Sequence, residues 1–337
     1  MRKSKVIVIC PGRGSYTRES IGFINKYGSN VKNKITKFDE YRKSRGYTII
    51  SELDKMAFKS KIHMKGENAA PLIFSCSKLD FDQINKKKYE IIAIAGNSMG
   101  WYTSLNLASS LNDKDAFHMI QNMGSMMKDE LIGGQIIYPI INENWEIKKE
   151  YQQHLLKLIK RHDAYLSIDF GGYYVIGGKL KSLKLIIKEL PKIDKYPLEV
   201  PYNGAFHTPL MKDISKKALK FSESLDFQKP DIPMVDGNGN IWTPFSTNLS
   251  LLKNYTLKEQ VENSFNFSAS IETCLKEFCP EKVILLGPGN SLGGSIAQIM
   301  IKINWLSIKS KNDFLEMQSD NPYILSMSLD GQRKLII

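Results

Sequence analysis

The sequence predicts an α/β protein with a second, smaller unit inserted into its main domain. Buried β-branched runs alternate with helical patterns in both halves of the chain, beginning with KVIVIC at 5–10 and YEIIAIAG at 89–96. Between the halves the rhythm changes to closely spaced strands with two lysine-rich helices. A chain of 337 residues, 42% of them hydrophobic, is long enough for one large domain with an insertion.

The main domain is expected to occupy 1–130 and 203–337. Its predicted elements, in order, are the strand KVIVIC with the turn PGRGS, a buried helix over 71–79, the strand YEIIAIAG, the helix MGWYTSLNLASSL, the helix KDAFHMIQNMGSMMKDE, a helix after VPYNGAFH, the strand PMVDGN, a helix around 256–278, the strand VILLGPG and a last helix around SIAQIMIKI.

Residues 131–202 form the predicted insertion. Its expected elements are the strand GGQIIYPII, the helix WEIKKEYQQHLLKLIKR, the strands AYLSIDF and GYYVIGG, the helix LKSLKLIIKEL and the closing strand KYPLEVPY. This β-α-β-β-α-β order is that of a ferredoxin-like unit.

Composition excludes several classes of protein. No apolar run approaches the roughly 18 residues of a membrane helix, so we expect a cytoplasmic protein without membrane contact, and a monomer. Four scattered cysteines and five histidines give no metal-ligand spacing, so no metal is expected. The net charge of +12 is spread rather than gathered in a basic block, so no nucleic acid is expected. Such a surface suits an acidic protein partner or a phosphate-bearing substrate; the alternative is a lysine-rich surface that is simply solvated.

Two serines, Ser98 and Ser291, lie in nearly identical G-N-S-x-G segments. A nucleophilic serine is often placed where a buried strand turns directly into a helix. Ser98 follows the strand at once, whereas Pro288 interrupts the second copy. A helix that begins at Met99 would also direct its amide groups toward a developing oxyanion. Ser98 is therefore the candidate nucleophile.

The candidate base is His207, in the segment NGAFHTPLM. In α/β folds with this kind of serine the histidine follows the nucleophile in the chain, and none follows Ser291. His154 and His162 belong to a lysine-rich helix that we expect to face solvent. His207 precedes Pro209 at a strand-to-helix turn, where an imidazole can point into a cleft; the alternative is a capping or core histidine.

The order of these motifs matches a known family. The matching positions are Arg13 in CPGRGS, Ser98 in AGNSMG, His207 in GAFHTPLM, Gln260 in LKEQVENSFNF and LGPG at 286–289. Over nearly its whole length the chain resembles malonyl-CoA:acyl-carrier-protein transacylases and the acyltransferase domains of polyketide synthases. The resemblance implies an α/β-hydrolase-like core with the ferredoxin-like subdomain inserted, and a cleft between them that holds the site.

The resemblance also implies a ping-pong acyl transfer in fatty-acid or polyketide assembly. Ser98 would attack a CoA or carrier thioester with His207 as general base, and acyl-carrier protein would receive the acyl group. Backbone N–H groups of Arg13 and Met99 would form the oxyanion hole, and Gln260 would lie near the site. CoA and phosphopantetheine thioesters would be the substrates, with no bound cofactor.

Four positions depart from the family pattern. Members that use malonyl groups carry an arginine where Met123 stands, and the usual glutamine of the glycine-rich turn is Arg13. The usual histidine before the serine is Asn97, and the usual glutamate after the motif is Trp101. Phe206 is retained and goes with acyl groups that are small or unbranched at the α carbon. We expect Met123, Phe206, Asn97 and Trp101 to contact substrate.

Two hypotheses for the acyl group follow from Met123. A buried malonyl carboxylate would lack its cation there, which favours a neutral or unusual acyl group. Alternatively, Arg13 holds a malonyl-type carboxylate from the other side of the cleft. Two further readings are a hydrolase that releases acyl groups from the carrier, and an inactive chain that only binds a carrier protein. Survival of Ser98, His207 and Gln260 favours an acyltransferase.

Overall fold

The computed structural model describes residues 2–28 and 32–337. Its strands are β1 (Ser4–Cys10), β2 (Tyr89–Gly96), β3 (Gly134–Pro139), β4 (Ala164–Phe170), β5 (Tyr173–Gly178), β6 (Leu198–Glu199), β7 (Met234–Val235), β8 (Ile241–Trp242), β9 (Phe265–Asn266), β10 (Lys282–Leu285) and β11 (Ile324–Ser326). Its helices are α1 (Phe23–Tyr27), α2 (Lys32–Lys43), α3 (Ile50–Lys55), α4 (Ser60–His63), α5 (Gly66–Gln83), α6 (Met99–Leu107), α7 (Asp113–Ser125), α8 (Lys149–Arg161), α9 (Leu180–Glu189), α10 (Lys212–Phe221), α11 (Leu249–Asn254), α12 (Gln260–Glu262), α13 (Phe267–Phe278), α14 (Leu292–Lys302), α15 (Lys311–Asp320) and α16 (Asp330–Ile336).

The larger sheet has the strand order β11-β10-β1-β2-β7-β8. Its neighbouring strands run parallel except for the pair β7 and β8. Because the carboxyl ends of parallel strands meet at one edge, the loop after β1 and the turn after β2 lie side by side. The N–H of Asn97 donates to the carbonyl oxygen of Cys10 at 3.0 Å and joins these two segments.

Helices cover both faces of this sheet. Val6 and Val8 of β1 pack into a core with α5, α6 and α7, whereas Ile7 and Ile9 pack with α13 and α14 on the opposite face. All four side chains are fully buried. A strand covered on both sides must be apolar throughout, which is why KVIVIC shows no polar alternation.

The smaller sheet has the strand order β6-β3-β5-β4-β9. Over β3, α8, β4, β5, α9 and β6 the elements follow the predicted β-α-β-β-α-β order. Helices α8 and α9 share a separate core with this sheet, in which Ile136, Leu155 and Ile186 are buried. Strand β9, which comes from beyond residue 203, pairs parallel with β4 and completes the sheet. The boundaries at 131 and 202 stay a prediction.

The mixed α/β class is confirmed, but the single helix expected around 256–278 is wrong. The chain forms a π-helical turn at Tyr255–Glu259 and the short α12, then becomes extended at Asn263 (φ −119°, ψ 156°). Asn266 then caps α13 by accepting the N–H of Ala269 at 2.9 Å. Pairing of β9 with β4 overrides the local helical pattern. Within the described ranges no helix has the length and apolarity to cross a bilayer.

Candidate active site

Ser98 lies at the turn between β2 and α6, with backbone angles φ 54° and ψ −110°. A positive φ at a non-glycine residue is strained and persists only where neighbours hold it. A Cβ on Gly96 would lie 2.2 Å from the carbonyl of Gly100, and a Cβ on Gly100 would lie 2.3 Å from the carbonyl oxygen of Cys10. Glycine at both positions therefore permits the close packing that presents Ser98 at the sheet edge.

The imidazole of His207 lies beside this serine, with 2.7 Å between Nε2 and Ser98 Oγ. Nδ1 contacts the main-chain carbonyl of Gln260, and the backbone N–H donates to the carbonyl oxygen of Val261 at 2.9 Å. Burial lowers the pKa of His207 to about 4, and the Gln260 carbonyl opposes this effect. The imidazole is therefore neutral at pH 7 and able to accept a proton.

A cavity of about 40 Å³ opens onto the pair. By this measure roughly 10–15 Å³ is the least space that admits one water, so the cavity is small. Its lining residues are Arg13, Ala70, Ser98, Met99, Tyr102, Ile120, Met123, Gly124, Asn203, Phe206, His207, Gln260 and Val261. The space next to the hydroxyl suits a small acyl group.

The side chain of Arg13 extends into this region from the loop after β1. Its Nη1 donates to Asn203 Oδ1 at 2.5 Å, and Nη2 donates to the carbonyl oxygens of Met64 at 2.9 Å and Tyr202 at 2.7 Å. Burial lowers the pKa of Arg13 to about 10, while the charge of Glu67 raises it. The guanidinium is therefore charged at pH 7, and its hydrogen-bond partners are neutral.

Comparisons with known proteins bear on this site. No protein-family model matches the chain. The malonyl CoA-acyl carrier protein transacylase of Bacillus subtilis is 24% identical over 314 residues, which cover 90% of this chain and 93% of that protein. The enzyme of the same name from Buchnera aphidicola is 24% identical over 234 residues, covering 68% of this chain and 73% of its own.

Solved structures share the fold. The crystal structure of the malonyl-CoA:ACP transacylase of Synechocystis has a TM-score of 0.77 at 15% identity and covers 99% of this chain and 100% of that one. A malonyl-transacylase solved in complex with a type II PKS acyl-carrier protein has a TM-score of 0.71 at 18% identity, over 88% of this chain and 93% of that one. The sequence likeness to curated relatives extends along most of the chain.

Along most of its length the chain is a divergent relative of malonyl CoA-acyl carrier protein transacylases. This likeness supports an acyltransferase. Of the residues that the sequence singles out, the structure brings seven to one cavity: Arg13, Ser98, Met99, Met123, Phe206, His207 and Gln260. Ser291 is exposed at the start of α14 and does not line that cavity.

Two sequence-predicted contact residues lie outside the lining of this cavity. Trp101 is fully buried behind the turn, where its Nε1 donates to Thr256 Oγ1 at 3.0 Å. It follows Gly100 on α6 and faces the core. Asn97 packs on the loop after β1, since a Cβ on Gly12 would lie 2.6 Å from its carbonyl oxygen.

Several residues that line the cavity carry no sequence signal of function. Ala70 and Ile120 are apolar helix residues that look like any core position, and Tyr102 lies one turn into α6. Asn203 had a weak signal, because it is the polar residue of the small-residue run NGAFH before the histidine. In the described part of the chain no cluster of three His, Cys, Asp or Glu residues has metal-binding geometry.

Proposed function

We propose that this protein transfers a short acyl group from a CoA thioester, through an ester on Ser98, to the phosphopantetheine thiol of acyl-carrier protein. The observation that carries the proposal is the 2.7 Å approach of Ser98 Oγ to Nε2 of a neutral, buried His207. A serine with a correctly held neutral imidazole is the arrangement of an acyl-transfer nucleophile.

The proton route follows from the partners of the imidazole. Because Nδ1 faces the Gln260 carbonyl oxygen, it carries the proton, and Nε2 has its lone pair toward Ser98. On attack at the thioester carbonyl, Nε2 takes the hydroxyl proton and later gives it to the departing CoA thiolate. Carrier thiol then repeats the attack on the ester, with its proton passing to Nε2 and back to Ser98 Oγ.

Backbone amides next to the serine supply the oxyanion site. Neither the N–H of Met99 nor that of Arg13 donates to another group within residues 2–28 and 32–337. Met99 is also the first residue of α6, where the helix dipole adds positive potential. Two such donors aimed at the developing negative charge are the usual device for stabilising a tetrahedral intermediate.

The size of the cavity limits the length of the acyl group, and the charge of the residues that line it selects among short acyl groups. Met123 lines the cavity, which agrees with the neutral acyl group favoured by the sequence. Arg13 lines it too, and the guanidinium has N–H groups beyond the three that are bonded to Asn203, Met64 and Tyr202. A charge-assisted bond to a carboxylate is stronger than a neutral one, so this geometry favours a carboxylated group such as malonyl.

A second cavity offers a route for the pantetheine arm. It measures about 60 Å³ and shares Arg13, Met123, Gly124 and Phe206 with the first. Lys65 and Lys128 line its outer part and are exposed. Two lysines at the mouth of a channel suit the phosphate of the arm, and the lysine-rich surface suits an acidic carrier.

The experiment is intact-chain mass spectrometry after incubation with acetyl-, butyryl- and malonyl-CoA. Acylation of the wild type by a short acyl-CoA, and of no Ser98→Ala protein, is the expected result. Carrier protein should then discharge the ester. Rapid loss of the ester in water alone would instead identify a hydrolase, and no adduct from any of the three thioesters would favour a carrier-binding chain without catalysis.

A further inference from the structure

A continuous chain of hydrogen bonds runs from the Arg13 guanidinium to the main chain next to the imidazole. Arg13 Nη1 donates to Asn203 Oδ1 at 2.5 Å, and Asn203 Nδ2 donates to Gln135 Oε1. Gln135 Nε2 donates to Ser167 Oγ at 2.6 Å and to the Phe206 carbonyl oxygen at 3.1 Å. Ser167 Oγ donates to that same carbonyl at 2.9 Å.

Gln135 and Ser167 belong to the smaller sheet. The turn at residues 206–208 packs against this sheet. Gln135 lies in β3, and Ser167 lies in β4 where the register with β5 shifts, a bulge that re-aims its side chain. Gly177 of β5 pairs with Gln135 on one side and with Tyr165 on the other; a Cβ there would come within 2.7 Å of the Thr208 methyl carbon. The missing side chain lets residues 206–208 lie directly on the sheet.

The contact between the turn at residues 206–208 and the smaller sheet includes buried hydrogen bonds as well as close packing. Gln135 and Ser167 are buried, at 4% and 0% exposure. The Gln135 amide uses its oxygen and both N–H groups, so the network is complete around it. A fully satisfied buried network holds one geometry, because any alternative leaves polar groups unpaired.

The turn held by this network is strained. His207 has φ 60°, in the left-handed region that a histidine adopts only where its surroundings impose it. Val261 accepts the N–H of His207 on one side, and the network holds the Phe206 carbonyl on the other. The peptide unit that joins residues 206 and 207 is thus fixed directly at its carbonyl.

We propose that Gln135 is a positioning residue for His207. With Ser167 it holds the Phe206 carbonyl, which keeps the imidazole at its distance from Ser98, and through Asn203 it connects this turn to Arg13. The proposal rests on the proposed function of Ser98 and His207 for its catalytic meaning. The first test of the positioning role is a titration of His207, which does not depend on catalytic turnover.

The titration of His207 reports this positioning. The groups around the imidazole are the Ser98 hydroxyl, the Gln260 carbonyl and the Phe265 ring, whose centroid is 5.4 Å away; Arg13 and Tyr102 are the charged and titratable groups on the same cavity. Burial holds the pKa of His207 at about 4. If the turn loosens, water reaches the ring and its pKa rises toward the ordinary value.

The test is an NMR pH titration of the His207 imidazole, assigned by its absence in His207→Asn. Gln135→Met keeps the length of the side chain and removes its amide; Ser167→Ala is a milder second variant. We expect the midpoint to rise by about one pH unit or more in Gln135→Met and by less in Ser167→Ala. Ser264→Ala is the matched control, because Ser264 Oγ reaches the Ser167 carbonyl at 3.5 Å and should leave the midpoint unchanged.

Acylation kinetics give the second readout. Gln135→Met should lower kcat for acylation about tenfold, with little change in KM, because alignment of the base is lost while the cavity remains. Unchanged midpoints in the folded variants would overturn the proposal, as would an equal rise in Ser264→Ala. A wild type that shows no Ser98 acylation would overturn the proposed function and leave the titration result standing.

Discussion

Arg13 and Met123 line the same cavity beside Ser98, the first from the loop after β1 and the second from helix α7. A Cβ on Gly66 would lie 2.3 Å from the Gly124 carbonyl oxygen and 3.6 Å from Arg13 Nη1. The guanidinium therefore lies next to the turn of α7 that carries Met123. The positive charge of Arg13 therefore lies beside Met123, although the loop after β1 and not α7 supplies it.

Arg13→Gln should change which acyl group is accepted. The variant keeps the backbone N–H of the oxyanion site and removes the cation, so we expect malonyl loading to fall about 10- to 100-fold relative to acetyl loading. Acylation rates with the two CoA thioesters, measured on one preparation, give the ratio. Met123→Leu is the control and should leave it within about twofold. A ratio that Arg13→Gln does not alter would refute the carboxylate role.

The rate of Ser98 acylation should stay high at mildly acidic pH. Since burial lowers the pKa of His207 to about 4, the base is already deprotonated well below its ordinary range. The kcat/KM for acylation should thus stay level from pH 7 down to about 5 and halve near pH 4. Circular dichroism at each pH separates this titration from unfolding. A half-maximal rate near pH 6.5 would show an imidazole exposed to water.

Gly124→Ala should be more damaging than an alanine in another helix. A Cβ at Gly124 would lie 2.4 Å from the Gly66 carbonyl oxygen and push α5 and α7 apart. We expect a loss of about 1–3 kcal/mol in the free energy of unfolding, with slower acylation. Gly294 in α14 has nothing within 4 Å of an added Cβ, so Gly294→Ala should stabilise by about 0.5–1 kcal/mol. Equal effects in denaturant melts would contradict the close approach.

Arg333→Met should be strongly destabilising. Arg333 Nη2 donates to Asp80 Oδ1 at 2.5 Å, and Asp80 Oδ2 accepts the N–H of Gly287 at 2.7 Å, both carboxylate oxygens being buried. Losing the cation leaves a buried carboxylate uncompensated, at about 3–5 kcal/mol. Lys26→Met, which breaks an exposed pair, is the control and should change little.

The pH dependence of Arg333→Met has a definite sign. Burial already raises the pKa of Asp80 to about 6, against the opposing charge of Arg333. A folded pKa above the unfolded value means that stability is lost as pH rises through the folded pKa. The variant should therefore lose more at pH 8 than at pH 5. A loss that is the same at both values would mean that Asp80 does not carry the charge.

Local patterns predicted the candidate nucleophile and most of the fold. The strand-to-helix turn at Ser98 depends on residues within a few positions of it, and His207 stands shortly before a proline, so a single sequence makes both of them candidates. The orientation of Trp101 does not follow from its place after the motif, because rotation along α6 decides which face it presents. The place of Asn97 depends on the packing of the turn after β2 against the loop after β1.

Long-range pairing explains what the sequence did not show. The break at Asn263 depends on β9 adding to β4, about 97 residues earlier in the chain. The bonds of Arg13 join residues 51 to 190 positions away. The network through Gln135 joins two strands of the smaller sheet to the loop after β1, and its glutamine looked like an ordinary strand residue.

The most direct test of Ser98 as nucleophile and His207 as base is a rapid-quench measurement of acyl-Ser98 in wild type, Ser98→Ala and His207→Asn, with the modified peptide located by mass spectrometry. We expect an ester on Ser98 in the wild type, none in Ser98→Ala, and formation slowed by about 10²-fold or more in His207→Asn. Acyl transfer that proceeds at the wild-type rate without either side chain would contradict these roles.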